Sequence, residues 1–356
     1  MDSQPPKSRD WHECTTEEGE RLVMEKGSLF VQGIAGTGKT TYCQGIVERL
    51  QASGERVDII SKTHVASRRA GGVTADHWVR RHVINGSPKC TVLWIDEISQ
   101  IDVGLLLQIC KLTFCGIRFI LSGDFNQFAP IGNNFRGTPV AEDALQNSNL
   151  LHTMAGGNRV TLTECRRSDR ELFDFYASLV GLRNNLTLRT ILAQAKATFN
   201  FSGFCRNNLV ISHRKRIQLN RQINEQFAPP CAVRLEIGGR VLRGNSAQTM
   251  LIWPGIQLLG AVPTERKGIR NGCLYTVSEI IEGTVRIQEL PGVTLSFEQV
   301  KSWLRLSYAQ TYASVQGSEF TAQLRLHDTT HHFFTQRHLF VGLSRARAAK
   351  DVSVVD

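Results

Sequence analysis

The residues best suited to chemistry lie in three runs, each an apolar stretch that ends in polar side chains. The first is "LFVQGIAGTGKTTYCQG" (29–45). Gly33, Gly36, Gly38, Lys39 and Thr40 fit the spacing G-x-x-x-x-G-K-[ST]. With Ala35, Thr37 and Thr41 they form a loop whose backbone N–H groups can cradle phosphates at the start of a helix. Lys39 is expected to reach the β- and γ-phosphates of a nucleoside triphosphate, and the Thr40 hydroxyl to hold Mg²⁺. The second run, "TVLWIDEIS" (91–99), reads as a buried strand that ends in two carboxylates. Asp96 is expected to bind Mg²⁺ through water, and Glu97 to polarise the attacking water. The third, "ILSGDFNQFAPIG" (120–132), places Gln127 to hydrogen-bond a γ-phosphate and Asp124 either near the metal or where it orients neighbouring donors. Phe128 and Pro130 offer an apolar platform on which bases can stack.

Positioning these runs requires strands that end together. Short apolar, β-branched runs recur along the chain: "SLFVQG", "RVDIIS", "CTVLWID", "IRFILSGD", "NLVISH", "LRLSYAQT" and "KDVSVVD". Helix-compatible stretches separate them, which predicts an α/β fold with parallel sheets and crossover helices. The runs fall in two groups, so two α/β domains are expected. The Gly/Asn-rich "MAGGNRV" (154–160) suggests the boundary, giving domains 1–158 and 159–356. The alternating, turn-punctuated stretch 275–305 predicts a small β insertion in the second domain. The N-terminal "MDSQPPKSRDWHEC" reads as a disordered lead-in with no apolar signal segment.

Lys and Arg total 42 against 32 Asp and Glu, a formal charge of +10. Basic clusters at 68–69, 80–81, 213–216 and 344–347 favour a polyanionic partner. No apolar run approaches a membrane span, so no membrane partner is expected. The nine cysteines contain no C-x-x-C pair, which argues against a zinc site and for a reducing, intracellular compartment. The His331–His332 pair has no metal-ligand spacing around it and reads as structural.

Taken together, the motifs resemble those of superfamily 1 DNA helicases, in the RecD-like and Pif-type branch. "GIAGTGKT", "WIDEIS" and "LSGDFNQFAPIG" are similar to helicase motifs I, II and III. "LTECRRSDRELF" (162–173) resembles the motif IV region, "YAQTYASVQGSEF" (308–320) motif V and "LFVGLSRAR" (339–347) motif VI. "RNGCLY" (270–275) resembles an Asn-Gly turn of this branch. The resemblance implies two RecA-like domains that hold ATP and Mg²⁺, with motifs I–III on the first and IV–VI mostly on the second. It implies arginine fingers at Arg166 and Arg345, and a motif V role for Gln316, Gly317 and Glu319 in coupling nucleotide to nucleic acid. The stretch "ISKTHVASRRAGGVTADHW" is similar to the motif Ia and Ib region. Thr63, Thr74 and His77 are then expected on the strand, with Trp78 or Phe128 near bases. The implied activity is an ATP-dependent helicase or translocase moving 5′-to-3′ on single-stranded or forked DNA, and a monomer is expected.

The chain departs from the family pattern at four points. Glu18 stands where a glutamine usually reads adenine, so it is taken as a nucleotide-binding position of altered selectivity. Arg166 is followed by Arg167 in place of glutamine. Ala313-Ser314-Val315 replaces His-Lys-Ser ahead of Gln316. His77 is displaced by one position. Two alternatives stay open on the sequence: an RNA helicase of the viral superfamily 1 type, and an NTP-dependent nucleic-acid-binding switch that does not unwind.

Overall fold

The computed structural model describes residues 10–130, 132–180, 186–237, 248–262 and 265–356. It separates into two units, Met1–Ser168 and Asp169–Asp356. Most of the expected lead-in lies outside the described residues, but its end does not: His12–Cys14 forms a strand.

In the first unit the strands are β1 (His12–Cys14), β2 (Leu29–Gly33), β3 (Val57–Ser61), β4 (Val73–Thr74), β5 (Val92–Asp96) and β6 (Arg118–Gly123). A short hairpin, β7 (Asn134–Phe135) and β8 (Thr138–Pro139), precedes β9 (Asn158–Leu162). Seven of these strands form one sheet in the order β1-β9-β2-β6-β5-β3-β4. Every pairing in it is parallel. Both faces are covered, so residues alternate between two cores rather than between core and water. Phe30, Leu93, Ile95, Phe119 and Leu121 enter one cluster. Leu29, Val31, Val92, Trp94 and Ile120 enter the other, together with Ile46, Val47 and Leu50. Full burial of each such side chain contributes roughly 1.5–3 kcal/mol before entropy is counted.

The helices that matter to the site are α1 (Thr16–Met24), α2 (Lys39–Ala52), α3 (His64–Ala70) and α4 (Ala75–Val79). Thr15 and Glu18 form a capping box on α1, Gly38 starts α2, and Thr63 caps α3 by accepting from Ala66 N at 3.1 Å.

The second unit has the strands β10 (Asn207–Val210), β11 (Val233–Leu235), β12 (Met250–Ile252), β13 (Gln257–Gly260), β14 (Leu274–Ile281) and β15 (Thr284–Ile287). They are followed by β16 (Thr294–Ser296), β17 (Leu304–Leu306), β18 (Ala309–Thr311), β19 (Leu324–Leu326) and β20 (Val352–Val354). A four-stranded sheet runs β18-β10-β19-β20, parallel throughout. A five-stranded sheet runs β16-β15-β14-β13-β17, antiparallel throughout. β11 and β12 form a separate antiparallel ribbon.

Three expectations are corrected. The division falls after Ser168, not at 158, because β9 is hydrogen-bonded between β1 and β2 of the first sheet. The β insertion begins at Gln257, ahead of 275, because β13 supplies the strand that joins β14 to β17. "LRLSYAQT" is not one strand. Its first part is β17 of the antiparallel sheet and its last part is β18 of the parallel one.

Candidate active site

The three chemical runs end at the carboxyl edge of the first sheet, where open α/β sheets hold ligands. Gly33 closes β2, Asp96 closes β5 and Gly123 closes β6. Gly36 and Gly38 have φ values of +87° and +86°, the left-handed region that lets a phosphate loop turn its N–H groups inward. Lys39 leads into α2, and its Nζ donates to the Gly33 and Ile34 carbonyls at 2.7 and 3.1 Å. Ala35 and Thr37 are buried in the loop, where the Thr37 hydroxyl donates to Ile34 O at 2.9 Å. Thr41 follows Thr40 in the first turn of α2 and lies exposed.

The two metal-binding candidates lie side by side. Thr40 Oγ1 lies 3.4 Å from Asp96 Oδ2. A hydroxyl beside a carboxylate is a hard-oxygen pair suited to Mg²⁺. Asp96 is 1% exposed, and its other oxygen accepts from Ser122 Oγ at 2.8 Å. Ser122 is held in turn by the Trp94 indole N–H at 2.9 Å. Burial, then the adjacent Glu97 charge, raises the Asp96 carboxyl to about 6. Arg69, the Ser122 hydroxyl and Lys39 pull the other way. Glu97 adopts φ +55° and ψ +47°, left-handed and unusual for a residue with a Cβ. Such local strain is typical of a side chain aimed by its surroundings.

Asp124 is 1% exposed, and its Oδ1 accepts from Asn126 N and Nδ2 at 3.0 and 2.9 Å. Gln127 is 3% exposed and donates from Nε2 to Asp124 Oδ2 at 3.4 Å. Among the described residues its buried Oε1 has no hydrogen-bond partner. A buried acceptor left open at this edge suits a group that accepts from a water aligned for attack.

Arg166 belongs to the first unit, which corrects its placement in a second domain from 159. Its N–H donates to Gly36 O at 2.8 Å, and a Cβ added at Gly38 would lie 3.3 Å from Arg166 Cγ. The side chain therefore crosses the phosphate loop, with its guanidinium on Glu164 at 2.9 Å. Arg345 lies in the second unit and is 1% exposed. It donates to Val341 O, Ser318 O and Ser344 Oγ at 3.1, 3.3 and 2.9 Å. Motif V and motif VI residues thus share one network. Glu319 pairs with Arg347 at 2.6 Å, Gly317 has φ +78°, and Gln316 is buried.

Other candidates are used locally. The exposed Glu18 accepts from Thr15 N at 2.9 Å as half of the α1 capping box. Trp78 is core: it is 2% exposed and donates to Asp58 Oδ2 at 2.8 Å, so it offers no face to a base. Pro130 lines a cavity of about 80 Å³ with Ile101, Leu106 and Phe125, while Phe128 is half-buried. Thr74 caps α4 without a side-chain bond, and His77 is exposed on the same helix.

Sequence reasoning missed Arg69. Its Nη2 lies 3.3 Å from Thr40 Oγ1, 3.3 Å from Glu97 Oε1 and 3.7 Å from Asp96 Oδ2. Its only signal was the basic pair at 68–69, which reads as general charge. Ser122 was missed as well, because nothing in "ILSGD" marks a serine as the carboxylate's partner.

A family described as an AAA domain matches residues 18–172. The ATP-dependent RecD2 DNA helicase of Deinococcus radiodurans is 24% identical over 92% of this chain and 46% of its own length. The ATP-dependent DNA helicase RRM3 of Saccharomyces cerevisiae is 28% identical over 37% of this chain and 23% of its own. Among solved structures, Pif1 helicase from Candida albicans covers 96% of this chain and 93% of its own, with TM-score 0.68 and 17% identity. Bacteroides Pif1 bound to single-stranded DNA covers 95% and 91%, with TM-score 0.67 and 20% identity. In sequence and fold the chain is similar to superfamily 1 helicases of the Pif/RecD-like type. The chain spans less than half the length of the curated relatives just named. Its α/β architecture of two parallel sheets is that of the Pif1 neighbours. Among its described residues no helix is long and apolar enough to cross a membrane.

Proposed function

We propose that this chain is an ATP-dependent motor on single-stranded DNA, coupling hydrolysis to 5′-to-3′ stepping and to duplex unwinding at forks. One observation carries the reading: the phosphate loop, Thr40, Asp96 and Glu97 converge within one set of contacts at the carboxyl edge of the parallel sheet. In this reading Thr40 and Asp96 hold Mg²⁺, which neutralises phosphate charge when bound. Lys39 exchanges its loop carbonyls for the β- and γ-phosphates. Glu97 takes the proton of the attacking water, and the open Gln127 Oε1 aligns that water. Arg166, crossing the loop, and Arg345 carry positive charge toward the transferring phosphoryl group, the role that motifs IV and VI assign them. Glu18 keeps one oxygen on Thr15 N and can offer the other to an adenine amino group, but an ionised carboxylate donates nothing to the ring nitrogen, which favours loose base selection. Strand contacts are assigned to Thr63, Thr74, His77, Phe128, Pro130 and Gln316. The likeness to the RecD2 DNA helicase supports the DNA-helicase reading, and the net charge of +10 suits a polyanionic track.

The test is steady-state ATP hydrolysis at low salt, alone and with single-stranded DNA or RNA of equal length. The rate is expected to rise strongly with DNA and to vanish in Lys39→Ala. Stronger stimulation by RNA would move the assignment to an RNA motor. Nucleotide-gated DNA binding without turnover would identify a switch.

A further inference from the structure

Arg69, a cation that the sequence motifs did not single out, reaches three working residues of the site. It stands in the last turn of α3, and a single nitrogen, Nη2, faces Thr40, Glu97 and Asp96 within 3.7 Å. Its backbone is fixed from the nucleotide side as well, because Gln44 of α2 donates from Nε2 to Arg69 O at 3.0 Å. The other end of the same segment leads outward. After Gly71, which ends α3 at φ +82°, Gly72 passes so close to β3 that an added Cβ would lie 2.1 Å from Ile59 O. β4 then pairs Val73 with Ile60 and Thr74 with Ser61. Thr74 and the exposed His77 follow directly. The path from Thr74 back to Arg69 is five residues long and has no slack at Gly72.

We propose that Arg69 is the positioning residue through which single-stranded DNA, held at Thr74 and His77, sets the geometry of Glu97 and so accelerates hydrolysis. This rests on the motor reading above. A guanidinium offers several N–H donors in a rigid plane, so a small rotation of α3 changes which carboxylate it grips. Glu97 sits in a left-handed backbone conformation that local packing must sustain, so its side-chain direction depends on such a grip. Lys at this position keeps the charge and loses the planar fork.

The experiment compares wild type, Arg69→Ala and Arg69→Lys for ATP turnover with and without single-stranded DNA. DNA affinity is read by fluorescence anisotropy and folding by thermal melting. The inference expects folded variants with DNA affinity within about threefold of wild type. It expects their KM for ATP within a few-fold of wild type. Arg69→Ala should lose most of the DNA-stimulated kcat, a loss clearly larger than the fall in its DNA-free rate, and Arg69→Lys should fall between. A variant stimulated as strongly as wild type would overturn the inference and leave the motor intact. Equal loss of both rates would also overturn it, because Arg69 would then serve hydrolysis itself and not its control by DNA. A wild-type rate indifferent to DNA would overturn the motor reading, and this inference with it.

Discussion

At the scale of single residues, Arg345 and Asp96 carry the sharpest consequences. Arg345 is not a loose surface finger: Val341 O, Ser318 O and Ser344 Oγ occupy its guanidinium. Arg345→Ala is therefore expected to do two things. It should cut kcat by roughly 10³-fold if the arginine serves phosphoryl transfer. It should also destabilise the second unit by about 1–3 kcal/mol, because buried carbonyls lose their donors. Turnover read beside urea denaturation separates the two effects. Asp96 predicts a pH dependence. Its folded carboxyl sits near 6, above the ordinary value of 3.8, so the native state holds a proton that the unfolded chain has released between those limits. Its contribution to stability therefore falls as pH rises from about 4 through 6. The melting temperature of nucleotide-free protein, scanned over that range, should show a downward component that Asp96→Asn removes. Lys39, Thr40, Asp96 and Glu97 were legible because their chemistry demands fixed spacing within one run. Arg69 was not, because it arrives from the last turn of α3 and its neighbours in sequence are not its neighbours in space.

At the scale of elements, legibility followed burial. β2, β3, β5 and β6 read plainly because their apolar runs are nearly continuous, as strands covered on both faces must be. β1 and β9 did not, because His12, Glu13, Asn158 and Arg159 leave at least part of each strand near the sheet's outer edge in contact with water. Their ladder includes an Arg159–Glu13 ion pair, a sequence pattern that resembles a loop. The splitting of 304–311 was hidden for another reason. Only Ser307 and Tyr308 separate β17 from β18, too short a break for composition to mark. The α3–β4 connection gives an element-scale prediction. Gly72→Ala must push Ile59 O away from the 2.1 Å approach of a new Cβ. It should cost about 1–3 kcal/mol in denaturant unfolding, the range for overpacking. It should also lower DNA stimulation of turnover more than the DNA-free rate.

At the scale of the whole molecule, the position of β9 decides what can be cut. Each unit has its own sheets and core, the usual condition for independent folding. Residues 10–168 retain all seven strands of the first sheet together with the phosphate loop, both carboxylates, Arg69 and Arg166. That fragment is expected to melt cooperatively and to gain thermal stability from Mg²⁺–ADP. A fragment ending at 158, the boundary the glycines suggested, loses β9 and separates β1 from β2. It is expected to expose Leu29 and Val31, bind a hydrophobic dye and show no nucleotide-dependent shift.

The same strand order bears on synthesis. β1 leaves the ribosome before every other strand of that sheet, yet its partner in the sheet is β9, which emerges after all of them. Through that interval β2 presents an unpaired edge on one side, and an open edge is a template for pairing with another chain. The nascent protein therefore needs either rapid elongation to Leu162 or a chaperone on that edge. Slow codons placed between β6 and β9 should lower soluble yield more than the same codons placed after Ser168.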